Sequence, residues 1–144
     1  MICKKCQLDQ DDVLYSNADW TLMFGKQDYL GRCVLVSKRH IDSFTKLTDK
    51  ETLSFKSTLN KIEQALKNLY GCSLLNWCCN MNNSVDDPHL HIHIRPRYRN
   101  TVKINNTIYQ DKEWGKHYDR FAIIQFNEED IKTIFEDFKK EMNK

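Results

Sequence analysis

The stretch that decides the fold is PHLHIHIRPR, residues 88–97. Three of the chain's five histidines occupy alternate positions in it, namely His89, His91 and His93. Aliphatic residues stand between and after them, namely Leu90, Ile92 and Ile94. Because the side chains of a β-strand point alternately to its two faces, the pattern predicts a strand over residues 90–94. Its aliphatic side chains would enter the core and its imidazoles would face the other way. Pro88 fits the start of such a strand, and Pro96 predicts its end.

A row of imidazoles near neutral pH can divide chemical roles among its members. One ring can attack a phosphorus atom while its neighbours orient it or donate hydrogen bonds to phosphate oxygens. A half-exposed strand that carries histidines without function, or a row that only binds metal, is the alternative, and the regular alternation favours catalysis. Three arginines continue the same parity and are candidate phosphate contacts if the strand runs on, namely Arg95, Arg97 and Arg99.

The other patterns predict one α+β domain over residues 1–144. Strands are expected over residues 11–24, with a turn at 16–19, and over residues 33–36 and 74–79. Thr48 and Glu51 form a capping box, and the apolar residues behind them have helical spacing up to Gly71. Asn127 is expected to cap a second helix. This order of elements predicts helices packed against an antiparallel sheet, with Trp20 and Trp77 in the core.

Composition and charge exclude several classes of protein. The formal net charge of +2 is too small to indicate nucleic acid or an acidic membrane as the partner. No segment approaches the ~18 apolar residues of a membrane span, and the N-terminus lacks the apolar core of a signal peptide. We therefore expect a cytoplasmic protein whose six cysteines are reduced and serve metal binding, catalysis or packing.

The stretch at 88–97 resembles the signature of the histidine-triad (HIT) family, in which histidines alternate with apolar residues. The segment GRCVLVSKRH, residues 31–40, is similar to the family's buried strand ending in Lys-Arg-His. Asn-Trp at 76–77, Met-Asn-Asn at 81–83 and GKHYD at 115–119 resemble a bacterial branch of the family that is similar to diadenosine polyphosphate hydrolases. The resemblance covers most of the chain, from its start to the GKHYD segment.

The resemblance implies a five-stranded antiparallel sheet with two main helices, usually paired as a homodimer. It also implies nucleotidyl hydrolase or transferase activity at a nucleoside α-phosphate. His91 would be the nucleophile, and His93 would lie beside the phosphate or the leaving group. Asp28 is the candidate for binding the ribose hydroxyls. Polar contacts to the α-phosphate or to the active-site loop are expected among Asn76, Asn80, Asn82 and Asn83.

Cys3 and Cys6 form a CxxC pair at the N-terminus. Such a pair supplies two of the four ligands of a tetrahedral zinc site. The resemblance extends to bacterial HIT proteins and uridylyltransferases in which the histidine of Lys-Arg-His and the first triad histidine complete the site, which implies His40 and His89 here. Free thiols or a redox disulfide are the alternatives. Zinc on His89 would fix the start of the strand and leave the other two triad histidines for chemistry.

Three functions are compatible with these patterns. The first is an enzyme that cleaves dinucleoside polyphosphates or nucleoside phosphoramidates through a covalent nucleotidyl-histidine intermediate. The second is a nucleotide-binding module with structural zinc and low turnover. The third is a zinc-dependent interaction protein in which the whole histidine row serves metal. The intact pair of His91 and His93 favours the enzyme.

Overall fold

The computed structural model describes residues 3–83 and 87–144. Five strands form the main sheet, namely β1 (Val13–Ser16), β2 (Trp20–Phe24), β3 (Cys33–Ser37), β4 (Leu74–Cys78) and β5 (His91–Arg97). Their spatial order is β1-β2-β3-β5-β4, and every neighbouring pair is antiparallel. Two helices accompany the sheet, α1 (Asp49–Tyr70) and α2 (Glu128–Met142). The predicted α+β class with a five-stranded antiparallel sheet and two main helices is confirmed.

Both helices begin where the sequence predicts. The Thr48 side chain accepts a hydrogen bond from the Glu51 amide, and the Glu51 side chain accepts one from the Thr48 amide, which completes the capping box. Gly71 ends α1 in the left-handed conformation at φ 69°, which glycine adopts without steric cost. Asn127 caps α2 through a second capping box, with Asp130. These reciprocal bonds satisfy amide groups that the first turn of a helix leaves unpaired.

The aliphatic face of β5 lies in the core, as the alternation predicts. Leu90, Ile92 and Ile94 are fully buried, in the same cluster as Ile62 and Leu66 of α1. Both helices contact the sheet, α1 through β2 and α2 through β1. Because β5 lies between β3 and β4, its opposite face is supported on both sides. The imidazoles of that face therefore rest on a fixed backbone.

The prediction that Pro96 ends the triad strand is wrong, since β5 continues to Arg97. The pairing with β3 stops at Cys33 and Ile94, whereas the pairing with β4 runs on, with Leu75 opposite Pro96. Beyond Ile94 one edge of β5 is thus no longer paired with β3, and proline is tolerated at such an edge because it has no N–H to leave unpaired.

Two further features differ from the sequence prediction. A second, two-stranded sheet is formed by β6 (Val102–Ile104) and β7 (Thr107–Tyr109), joined by a turn in which Asn105 has φ 52°. Trp77, expected in the core, retains 48% of its exposure. It lies on the edge strand β4, where its ring centroid is 5.7 Å from that of Phe55 in α1. None of the described helices has the length and apolar composition needed to cross a membrane.

Candidate active site and metal centre

Four thiol and imidazole side chains from three parts of the chain meet at the start of β5. The Sγ atom of Cys6 lies 3.2 Å from Nδ1 of His40 and 3.4 Å from Nδ1 of His89. The Sγ atom of Cys3 lies 3.5 Å from Nδ1 of His89, and the two Nδ1 atoms are 3.0 Å apart. All four ligand atoms fall within 4.8 Å of one another. The edges of a tetrahedral zinc site with these ligands measure about 3.3–3.8 Å, so the cluster fits that metal.

Hydrogen bonds on the far side of both rings leave their Nδ1 atoms free to bind a metal. His89 donates Nε2–H to the carbonyl oxygen of Ser37 at 2.7 Å. His40 donates Nε2–H to Oδ1 of Asp87 at 2.8 Å. In a neutral imidazole the other nitrogen then carries a lone pair, and two such lone pairs face each other across 3.0 Å. A bound cation removes this repulsion, and an outer carboxylate or carbonyl of this kind orients metal-bound histidines in proteins.

His91 follows the cluster on the outward face of β5. Its Nδ1–H donates to the backbone carbonyl oxygen of His89 at 2.7 Å. Among the described residues no partner is seen for Nε2, which therefore keeps its lone pair. The residue is largely buried, and its ring packs edge-on against that of His93, with the ring centroids 5.2 Å apart. The ring of His91 is thus fixed in one tautomer and one orientation.

His93 connects the triad to an open pocket. It is half-buried, and its Nδ1 is enclosed without a hydrogen-bond partner in the described chain. Burial, and then electrostatic interaction with His91 and with the positive charges of Arg32 and Arg95, lowers the pKa of His93 to about 4. The ring is therefore neutral near pH 7, and it can accept or donate a single hydrogen bond through each nitrogen.

The pocket beside His93 has a volume of about 580 Å³. Its polar wall includes Asn80 and Asn82, two of the asparagines expected near the phosphate. It also includes four cationic side chains, Lys26, Arg32, Arg95 and Arg120. No carboxylate belongs to the described residues that line it. Such a pocket is suited to an anionic ligand.

The two arginines on the outward face of β5 have different surroundings. Arg97 uses every N–H of its guanidinium: it pairs with Asp111 at 2.7 and 3.1 Å and also donates to Asn76 Oδ1 and to two backbone carbonyls, of Glu113 and Lys116. Arg95 lines the pocket, and the ring of Tyr118 covers its guanidinium at 4.0 Å. Arg97 is therefore committed to holding the segment at 111–116, whereas Arg95 is not.

Two of the expected substrate contacts, Asp28 and Asn76, are absent from the described residues that line the pocket. The carboxylate of Asp28 accepts two hydrogen bonds from Nη1 of Arg32, at 2.8 and 2.9 Å, and one from the Tyr29 amide. It borders a separate cavity, which is also lined by Tyr29 and Asp111. The amide oxygen of Asn76 is taken by Arg97. Asn83 ends the short helix Met81–Asn83, and its side chain lies outside the part of the chain that the structure describes.

Several residues of the site were missed by the sequence prediction. Asp87 directly precedes the Pro-His of the triad, and that position was its only signal. Lys26, Arg32 and Arg120 come from two distant segments, and no local pattern links them. Tyr118 lies in the GKHYD segment, which was noted only for its resemblance.

Comparison with known proteins identifies the family to which the chain belongs. Residues 10–100 match the family model of the HIT domain, so the chain belongs to the HIT family. No curated protein matches it.

Solved structures share the fold at low sequence identity. A hypothetical histidine triad nucleotide-binding protein from Sulfolobus tokodaii has 15% identity and a TM-score of 0.68, covering 98% of this chain and 92% of the other. A zinc-bound histidine triad family protein from Mycobacterium smegmatis has 15% identity and a TM-score of 0.57, with coverages of 89% and 84%. Plasmodium falciparum diadenosine triphosphate hydrolase has 14% identity and a TM-score of 0.60, with coverages of 94% and 77%.

Proposed function

We propose that this chain is a nucleotide hydrolase or transferase that attacks a nucleoside α-phosphate with Nε2 of His91. The observation that carries the proposal is the 2.7 Å hydrogen bond from Nδ1 of His91 to the carbonyl oxygen of His89. It leaves the lone pair of Nε2 available, beside a cationic pocket that begins at His93. Dinucleoside polyphosphates and nucleoside phosphoramidates are the substrate classes that such a site accepts.

The reaction has two displacements at the same phosphorus atom. In the first, the Nε2 lone pair of His91 forms a bond to phosphorus, and the bond from phosphorus to the leaving group breaks, with its electrons going to the leaving oxygen or nitrogen. In the second, water attacks phosphorus and the P–N bond to His91 breaks, which releases a nucleoside monophosphate and a proton. An acceptor other than water would make the same chain a transferase.

The neutral ring of His93 and the amides of Asn80 and Asn82 contact the phosphate oxygens or the leaving group in this proposal. Fixed donors of this kind stabilise charge where it develops. Arg95 belongs to the same contact surface. Asp28 acts on the pocket through Arg32, which it orients, and Asn76 acts through Arg97; Asn83 is kept as a candidate contact of the loop before the triad.

We further propose that Cys3, Cys6, His40 and His89 hold a structural zinc ion. Four protein ligands leave no open position on the metal, so zinc there ties the N-terminal segment to the start of β5 and takes no part in the chemistry. Its thiolate ligands persist in a reducing compartment such as the cytoplasm. Metal analysis of the purified protein should find one zinc ion per chain, and Cys6→Ser should lower that content.

A homodimer is also proposed, through the free edge of the sheet at β4. Leu74 and Trp77 on that strand are 41% and 48% exposed, and an uncovered strand edge with apolar side chains favours pairing with another chain. Sedimentation analysis should give twice the chain mass, and Trp77→Lys should shift the species toward monomer. A monomer at micromolar concentration would overturn this assembly.

The experiment that tests the function is an intact-protein mass spectrum after brief mixing with diadenosine tetraphosphate, quenched in mild alkali. We expect an added adenylyl mass on the wild type and none on His91→Ala. His117→Ala is the matched control, since His117 is exposed and lies outside the pocket lining, and it should still form the adduct. If neither adduct nor nucleoside monophosphate forms while nucleotide stays bound, the chain is a binding module rather than an enzyme.

A further inference from the structure

The pocket beside His93 contains more positive charge than one phosphate group requires. Four cations line it, Lys26, Arg32, Arg95 and Arg120. Only Arg32 has a carboxylate partner in the described chain, Asp28, which approaches it from outside the pocket. The formal charge inside the pocket therefore stays strongly positive even after this pair is counted.

Arg95 is the clearest sign that the charge serves a ligand. Only 7% of this residue is exposed, and its Nε is enclosed with no hydrogen-bond partner in the described chain. No ion pair of Arg95 occurs within residues 3–83 and 87–144. A buried guanidinium without an anion is unfavourable in free energy. By contrast, the guanidinium of Arg97, two residues further on, is paired with the carboxylate of Asp111.

The position of Arg95 is nevertheless well defined. It follows His93 on the same face of β5, and Tyr118 holds its guanidinium by a cation–π contact at 4.0 Å. Arg32 lines the same pocket, its Nη1 is fixed by Asp28 at 2.8 Å, and its Nε is likewise enclosed and unpaired in the described chain. Two guanidinium groups are thus oriented in advance, with donors left for phosphate oxygens.

We propose that Lys26, Arg32, Arg95 and Arg120 hold a chain of two or more phosphate groups that continues from the phosphate attacked by His91. The inference rests on the proposed function and narrows it to nucleotides whose leaving group is itself a polyphosphate. When the P–O bond breaks, the bridging oxygen takes its electrons, and the new negative charge develops beside cations already in place. A phosphoramidate, whose leaving group is an amine, would leave these cations without a partner.

The absence of carboxylates from the described pocket lining agrees with the proposal. No carboxylate lies among its described lining residues, and Asp28, the side chain expected to bind ribose, is occupied by Arg32 and Tyr29. The volume of about 580 Å³ falls within the range of small-ligand sites, about 300–1,000 Å³. The described wall therefore offers cationic donors for phosphate oxygens, and its only side-chain amide acceptors are those of Asn80 and Asn82, with no carboxylate for ribose hydroxyls.

Binding is tested first, in the His91→Ala protein so that no turnover interferes. Inorganic tripolyphosphate is titrated calorimetrically, with orthophosphate as the comparison and zinc content measured afterwards, because tripolyphosphate also binds metals. We expect tripolyphosphate to bind more tightly than orthophosphate, and the added change Arg95→Gln to weaken it about 10-fold or more, the usual effect of losing charged hydrogen bonds. Arg99→Gln is the matched control, since Arg99 is exposed and outside the pocket. Equal affinity with and without Arg95, or no preference for tripolyphosphate, would overturn the proposal.

Turnover is tested second, as the ratio of kcat/KM for diadenosine tetraphosphate to kcat/KM for adenosine 5′-phosphoramidate. Arg95→Gln should lower this ratio about 10-fold, and a parallel fall for both substrates would assign Arg95 to the attacked phosphate instead. Arg120→Gln changes an exposed side chain, so it folds even if Arg95→Gln does not, and it should lower the ratio in the same direction. If the wild type cleaves neither substrate, the proposed function fails, while the tripolyphosphate titration still decides whether the phosphate pocket exists.

Discussion

Replacing Asp87 with alanine tests whether the outer carboxylate tunes the metal centre. Oδ1 of Asp87 accepts a 2.8 Å hydrogen bond from Nε2 of His40, which fixes the tautomer that presents Nδ1 to the cluster. Losing such a partner typically lowers metal affinity about 10–100-fold, which corresponds to about 1.4–2.8 kcal/mol. We expect Asp87→Ala to weaken zinc binding by that factor without changing the one-to-one stoichiometry.

The assay combines competition with a chelator and urea unfolding at buffered free zinc. Where free zinc exceeds both dissociation constants, the stabilisation by binding differs between the two proteins by RT times the logarithm of their affinity ratio. The free energy of unfolding should therefore fall by about 1.4–2.8 kcal/mol in zinc and stay nearly unchanged in metal-free protein. Asp42→Ala is the matched control, because Asp42 is exposed and pairs with Lys46 instead.

Two results would refute this reasoning. An equal loss of stability with and without zinc would show that Asp87 supports folding directly. Unchanged zinc affinity would show that the tautomer of His40 does not depend on the carboxylate, and the assignment of Asp87 to the metal centre would be withdrawn.

Two further predictions concern polar contacts away from the metal. Arg97→Gln leaves the buried carboxylate of Asp111 without its cation, so we expect a loss of about 3–5 kcal/mol in urea unfolding; a loss below 1 kcal/mol would contradict the role given to Arg97. Hydrogen bonds from Arg39, and next from the Thr48 amide, lower the pKa of Glu51 to about 2. Because the folded pKa lies below the unfolded value, this stabilisation is present above about pH 4.5 and is lost as pH falls towards 2. The stability difference between wild type and Glu51→Gln should shrink over that range, and a difference independent of pH would reject the assignment.

The parts of the fold that the sequence predicted are those with a local physical signature. The period of two in β5, the capping box at Thr48 and the helix cap at Asn127 each depend on neighbouring residues, and each is confirmed. Trp77 was placed wrongly because burial depends on strand order, and nothing in the segment reveals that β4 lies at the edge of the sheet. The end of β5 was misplaced for a related reason, since the rule about Pro96 holds only where both neighbouring strands are present.

The same distinction between local and long-range signals applies to the candidate site. The metal ligands could be proposed because the CxxC pair and the two histidine motifs can each be recognised from adjacent residues in the sequence. The phosphate pocket could not, because Lys26, Arg32 and Arg120 meet Arg95 only after the chain has folded. Arg95 and Arg97 share a face and a parity in the sequence, and only their surroundings distinguish an arginine that is fully paired from one that is available.

Two backbone carbonyls link the proposed metal site to the proposed nucleophile. The carbonyl of Ser37 accepts from His89 and so turns the Nδ1 of His89 towards the metal cluster. The carbonyl of His89 itself accepts a hydrogen bond from Nδ1 of His91, which leaves a lone pair on Nε2, the atom proposed to attack phosphorus. Any metal that fixes the position of His89 also fixes the acceptor that selects the tautomer of the nucleophile. In the proposed function, the zinc ion and the nucleophile would therefore be coupled through the backbone of a single residue, His89.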